Sequence, residues 1–254
     1  MARLEIVQIP VLRDNYVYLV REAQANLVGV VDPSVAEPVL RRLQELGWRL
    51  THILNTHHHN DHTGGNLELK VATGATIVGP LADRERIPGI DVALADGERW
   101  AFGAEEAQIF DVPGHTRGHI AFWFAKSDAL FCGDTLFTLG CGRLFEGTPA
   151  QMWRSLSKLK ALPGSARVYC GHEYTQANAR FALTVDPDNA ALKRRAREID
   201  KLRAEGLPTV PATMAEERAT NPFLRADDPA LAAYAKATDP VAVFAAVRQA
   251  KDKF

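Results

Sequence analysis

The sequence predicts an α+β fold, with strands before about residue 173 and helices after it, and three observations carry that prediction. Short β-branched and aromatic runs bounded by turn residues recur as far as Cys170. Helical apolar spacing follows directly on the early runs, a strand-then-helix order. Beyond Cys170-Gly171-His172 the apolar residues recur only at helical period, with Pro208, Pro211 and Pro222 between the segments.

Taken in order, strands are expected at 4–9, 16–20 and 27–31, the last closed by Asp32-Pro33. Ser34 and Glu37 stand at capping-box spacing ahead of Val39, Leu40, Leu43 and Leu46, so a helix is expected to start there and end at Gly47. A strand at 51–55, a polar His-rich loop, a short helix after Gly64-Gly65 and a strand at 75–78 complete the first stretch. Further strands are expected at 107–112, 119–124, 129–132 and 167–170, with a helix over 149–162. Helices are then expected over 176–183, 189–205 and from Pro229 to the C-terminus.

The 254 residues, 46% apolar and 24% charged, suffice for one large domain or for a medium domain with an appendage. With 30 basic against 31 acidic residues the formal net charge is -1, so no global field draws the chain to nucleic acid or an anionic membrane. Met1-Ala2-Arg3 leads straight into a strand-like run, and no stretch reaches about 18 apolar residues, so neither secretion by a signal peptide nor membrane spanning is expected. The three cysteines, Cys132, Cys141 and Cys170, form no CxxC and no even set, which fits a reducing cytoplasm. A cytoplasmic monomer with no nucleic-acid or membrane partner is the expected working unit.

Of eight histidines, His57, His58, His59 and His62 fall together around Asp61. In an extended segment side chains two apart share a side, so His57 and His59 can grip one ion while His58 points away. Where the chain turns, Asp61 and His62 can face a second. Imidazole and carboxylate suit zinc, and also iron or manganese, whereas an ion-free cluster would bury polar rings without partners. His115, Asp134 and His172 each follow a β run and a glycine, where a sheet delivers side chains to its edge. Seven donors are too many for one open site, which takes three protein ligands and a water, so two divalent ions are expected. His52 reads as structural, His58 as outer-sphere or surface, and His119 equally as packing or as support for a ligand. Cys141 and Cys170 read as small buried thiols.

The pattern His57-x-His59-x-Asp61-His62 with His115, Asp134 and His172 resembles the metallo-β-lactamase superfamily. That resemblance implies a four-layer αββα sandwich with the site at the sheet edges. It implies His57, His59 and His115 on one metal, Asp61, His62 and His172 on the other, and Asp134 bridging both. The segments 140–147, 170–175 and 221–225, with Val247-Arg248 and Lys251-Asp252, are similar to the glyoxalase II family over essentially the whole chain. Membership would imply a catalytic domain over 1–172 and a helical substrate-binding domain over 173–254. It would further imply hydrolysis of the thioester S-D-lactoylglutathione to D-lactate and glutathione, a step of methylglyoxal degradation. Asp61 and Asp134 would serve the chemistry, while Arg143, Tyr174, Arg248 and Lys251 would hold the glutathione peptide, whose carboxylates call for cationic partners. Phe145 departs from the pattern, since many relatives carry tyrosine there, and one hydrogen bond to the peptide is expected to be missing.

Two other readings compete. A glutathione-persulfide dioxygenase would use a single iron in a similar motif, and metal content with oxygen consumption separates it. A non-catalytic metal-binding scaffold would be expected to have lost a ligand, and all seven are present. Lactonase, β-lactamase and RNA-processing members share the metal pattern but lack the terminal Val247-Arg248 and Lys251 signature.

Overall fold

Tyr16-Val17-Tyr18-Leu19-Val20 is apolar on both faces, and in the computed structural model it forms the middle of a strand buried along nearly its whole length. The structure describes residues 3–254; Met1 and Ala2, which lead into the first expected strand, lie outside the described residues. Two compact units divide the chain, the first running to Asp111 and resuming over Arg117–Gly133, the second comprising Val112–Thr116 and Asp134–Phe254.

The first unit holds β1 (Glu5–Val11), β2 (Asn15–Glu22), β3 (Leu27–Val31), α1 (Glu37–Leu46), β4 (His52–Leu54), α2 (Asn60–Thr63), α3 (Asn66–Thr73), β5 (Thr76–Pro80) and β6 (Val92–Leu94), then β7 (Arg99–Phe102), β8 (Glu105–Asp111), β9 (Ile120–Phe124) and β10 (Ala129–Gly133). Strands β1 to β6 form one sheet in chain order, antiparallel from β1 to β3 and parallel from β3 to β6. In the second sheet β10, β9, β8 and β7 are successive antiparallel neighbours. The two sheets meet through aromatic rings: Tyr18 lies 5.6 Å from Phe131, and His52 lies 5.4 Å from Phe102. On the outer face of the first sheet Val39, Leu43 and Leu69 join Val30, Ile53 and Ile77 in one apolar core.

Helix α1 ends as expected at Gly47, whose left-handed φ of 66° lets its N–H cap the last turn. Its start differs. Ala36 occupies the N-cap without a side-chain bond, and the Ser34 hydroxyl instead donates to the carbonyl of Asp61. The capping-box spacing was outcompeted by a long-range partner that local sequence does not show. Because β3 and β4 run parallel with Val31 beside Leu54, Asp32 and the Asn55-Thr56-His57 segment leave the sheet at one edge. The expected His-rich loop also contains the single turn α2.

The second unit holds β11 (Leu136–Phe137), β12 (Gly140–Cys141), α4 (Pro149–Lys160), β13 (Arg167–Cys170), α5 (Thr175–Val185), α6 (Ala190–Ala204), β14 (Ala212–Thr213), α7 (Met214–Thr220), α8 (Pro229–Ala235) and α9 (Pro240–Asp252). Thr148 and Gln151 form a complete capping box at the start of α4. Leu139 packs among Ala179, Ala182, Leu192, Ala196 and Ile199 of α5 and α6. Phe244 of α9 lies 6.0 Å from Phe223 and 6.4 Å from Trp153. The helix expected from Pro229 onward is two helices bent by 63°: Lys236, at a φ of 52°, closes α8, and Asp239 caps α9 ahead of Pro240. Among the described residues no single helix is long and apolar enough to cross a membrane.

Candidate metal centre

In the first unit the histidines are aimed by a relay that begins at Asp32. Its carboxylate accepts the Thr56 N–H at 2.8 Å and the Thr56 hydroxyl at 2.7 Å. With that proton committed, Thr56 Oγ1 can only accept from His57 Nδ1 at 3.0 Å, which leaves His57 Nε2 as a lone-pair donor. Asp32 Oδ2 also accepts from His62 Nδ1 at 3.1 Å, so the lone pair of that ring lies on Nε2. Asp32, His57 and His62 are all buried, and together they form a cluster with metal-ligand geometry.

His57 Nε2 and His59 Nδ1 are 3.1 Å apart, so the two rings do share a side as period two requires. His58 points elsewhere, to the Asp83 carboxylate at 3.1 Å and the Arg86 guanidinium at 3.2 Å. Asp61 Oδ2 accepts from Asn15 at 3.1 Å and stands 3.5 Å from His62 Nε2. The ring of His119 stacks on His57 at 4.5 Å while its Nδ1–H donates to the Ile120 carbonyl, so it buttresses a donor. Gly133, at a φ of 46°, lies against the His119 ring and the Thr56 hydroxyl, where any Cβ would collide. His52 is a core residue, bonded to Thr51 and edge-on to Trp100, with its pKa lowered by burial.

The second unit presents its donors around one carboxylate. Asp134 Oδ2 lies 3.4 Å from His115 Nε2 and 3.3 Å from His172 Nε2. The Nδ1–H of His115 donates to the Arg143 carbonyl at 2.9 Å, so the lone pair of that ring lies on Nε2, the atom that faces Asp134. Two ligands on one tetrahedral zinc, with bonds of about 2.1 Å, stand about 3.4 Å apart. The imidazole and carboxylate atoms of both units are at that separation, so the donor set fits divalent metal.

Of the residues expected to hold a peptide, Tyr174 is part-exposed and stacks on His172 at 4.7 Å, with Phe137 edge-on to both. Arg143 is exposed. Lys251 reaches the Ala177 carbonyl at 3.2 Å; burial lowers its pKa, and repulsion from Arg248 and Arg143 lowers it further. Arg248 is only 5% exposed, and it donates to the Cys141 carbonyl at 2.9 Å and to Asp252 at 2.8 Å, over the face of Phe223. Its guanidinium is thus committed largely to joining α9 to the Cys141 segment. Phe145 is 63% exposed and leans on the His115 ring at 5.2 Å. Cys132, Cys141 and Cys170 are buried and form no disulfide; burial pushes the Cys141 thiol up to about 11 and that of Cys170 to about 12.

Sequence reasoning missed Asp32 and Asn15, which orient site side chains, and Asp83, which holds His58 away from them. Only Asp32 left a signal, a carboxylate at the end of a buried strand.

Residues 11–172 match the family model of the metallo-beta-lactamase superfamily, and residues 173–254 match that of the hydroxyacylglutathione hydrolase C-terminus. A hydroxyacylglutathione hydrolase of Methylococcus capsulatus is 60% identical over 253 residues, 99% of each chain. Among solved structures, ETHE1 from Myxococcus xanthus is 27% identical with a TM-score of 0.67, over 87% of this chain and 84% of that one. TTHA1623, solved in a di-iron-bound form, is 26% identical with a TM-score of 0.61, over 86% of this chain and 99% of that one. The fold is that of the metallo-β-lactamases, with a helical C-terminal part. The chain belongs to the hydroxyacylglutathione hydrolase family of that superfamily.

Proposed function

We propose that the chain hydrolyses S-(2-hydroxyacyl)glutathione thioesters, S-D-lactoylglutathione foremost, releasing D-lactate and glutathione in methylglyoxal degradation. The observation that carries the reading is the Asp134 carboxylate bracketed by His115 and His172 at tetrahedral-edge distance, in a chain 60% identical to a hydroxyacylglutathione hydrolase over its length. The proposal assigns one divalent ion to His57, His59 and His115, a second to Asp61, His62 and His172, and Asp134 to both. The di-iron-bound form of TTHA1623 supports a pair, and the imidazole and carboxylate donors suit zinc, with iron or manganese compatible.

Such ions, when bound, supply Lewis acidity and a water acidified towards neutrality. The chain's own groups do the rest. Asp61 would accept a hydrogen bond from the attacking water and aim it, a role that its 43% side-chain exposure supports. Arg143, Tyr174 and Lys251, with Arg248 behind them, fix the glutathione moiety so that the thioester carbonyl is presented in one orientation. A thiol with a pKa near 8.5 leaves as thiolate without a dedicated acid, so none is assigned.

The same reading divides the chain at 172 and 173, supported by the bounds of the two family matches. It puts the enzyme in the cytoplasm, supported by three cysteines that form no disulfide, and reads it as a monomer, which sedimentation tests. Purified protein is assayed for S-D-lactoylglutathione hydrolysis beside elemental analysis and oxygen uptake. Hydrolysis with two metals per chain is expected; oxygen consumption with one iron would replace this reading by the dioxygenase one.

A further inference from the structure

Behind the segment that carries Arg143 lies a buried polar network that the chemistry does not use. Glu217 and Asn221 are both fully buried. One Glu217 carboxylate oxygen accepts the Leu139 N–H at 2.9 Å and the Asn221 amide at 2.8 Å, and the other pairs with the Arg195 guanidinium. Arg195 also donates to the Thr220 hydroxyl at 2.5 Å. The Asn221 amide nitrogen donates in addition to the carbonyls of Phe137 at 3.1 Å and Gly140 at 3.0 Å. Its oxygen takes the Phe223 N–H, so the orientation of the amide is settled by its partners. Asn178 holds the Thr138 carbonyl at 3.0 Å.

Every residue of the 137–140 turn is therefore held through its backbone. The turn needs it, because Leu139 sits at a φ of 58°, a conformation that costs a non-glycine residue about 1 kcal/mol or more. A buried ion pair is no cheaper than apolar packing of the same volume, so stability alone is a weak reason for this network. Its geometry shows a better one. On one side of the turn the Phe137 ring meets His172 and Tyr174. On the other, Cys141 accepts from Arg248, and the Arg143 carbonyl holds His115. Gly142 lies so close to the His115 ring and the Asp134 carbonyl that a side chain could not be accommodated.

We propose that Glu217 and Asn221, backed by Arg195, are positioning residues for the glutathione end of the substrate, acting through the 137–143 turn; this rests on the glutathione-thioester reading above. Metal-loaded wild type, Asn221→Ala and the isosteric Glu217→Gln are titrated calorimetrically with S-hexylglutathione, a thioether that resists hydrolysis. Turnover of S-D-lactoylglutathione is compared with that of the truncated thioester S-D-lactoyl-N-acetylcysteamine. The expected result is a Kd raised about tenfold, with KM for the full substrate following it, because buried groups are left unpaired. Metal content and kcat/KM for the truncated thioester stay near wild type. Variants that melt earlier yet bind the thioether as wild type does, or that lose both thioesters equally, overturn the proposal. If Asn221→Ala does not fold, Glu217→Gln decides alone. A wild-type chain that neither binds the thioether nor cleaves either thioester brings down the functional reading itself, whereas failure of this inference alone leaves wild type fully active.

Discussion

The Asp32 carboxylate accepts the Nδ1–H of His62 at 3.1 Å and, through the Thr56 hydroxyl, also governs His57. One side chain therefore selects the tautomer of two donors assigned to different ions. Asp32→Ala is expected to weaken metal binding about 10- to 100-fold, as loss of an orienting partner does elsewhere. Competition with a chromophoric chelator reads this directly, and unchanged affinity would remove Asp32 from the site.

His59→Ala or Asp134→Ala is expected to abolish thioester hydrolysis while far-ultraviolet circular dichroism stays native. Metal content should fall below that of wild type in each. Near-normal turnover by the Asp134 variant would refute the ligand assignment.

Lys251 has its pKa lowered from 10.5, first by burial and then by Arg248 and Arg143. Its charge is present below the shifted value and lost above it. KM for the glutathione thioester should thus be level near neutrality and climb with pH before 10.5 is reached. Lys251→Arg should postpone the climb, because guanidinium stays charged. Superimposable KM profiles for the two proteins would show that this ammonium does not contact substrate.

Arg248→Ala is expected to raise KM, and its burial adds a second consequence. Removing a buried guanidinium that serves Cys141 and Asp252 should cost about 2 kcal/mol, or roughly 4–8 °C in Tm for a chain of this size. A Tm equal to wild type would mean that the bonds to Cys141 and Asp252 add nothing to stability.

The Cys141 and Cys170 thiols, held up to about 11 and about 12 by burial, stay protonated in the native state at pH near 8. Iodoacetamide should leave both unmodified in folded protein and alkylate both in denaturant. Mass spectrometry of the native sample detects any exception.

Much of the site was legible because its cues are local. Alternation put His57 and His59 on one side and His58 on the other, and glycine after a strand marked His115, Asp134 and His172. The end of α1 at Gly47 was equally plain. Its beginning was not, since Ser34 is claimed by Asp61, a partner 27 residues away. The break between α8 and α9 was hidden by continuous alanine-rich periodicity. That Arg248, expected to hold the peptide, is buried against Cys141 and Asp252 could not be read, because helical spacing does not say what packs against a face.

What this chain's sequence determined by itself was the gathering of histidines and carboxylates, the order of strands and helices, and the family, all written in residue type and short-range spacing. Tertiary structure alone decided which nitrogen of each ring is left to bind. It also decided that Asp32 rules two histidines and that Glu217 and Asn221 grip the 137–140 turn. Hydrogen bonds such as that between Asn221 and Phe137, 84 positions apart, follow from how strands and helices are packed, and no periodicity in the chain encodes them.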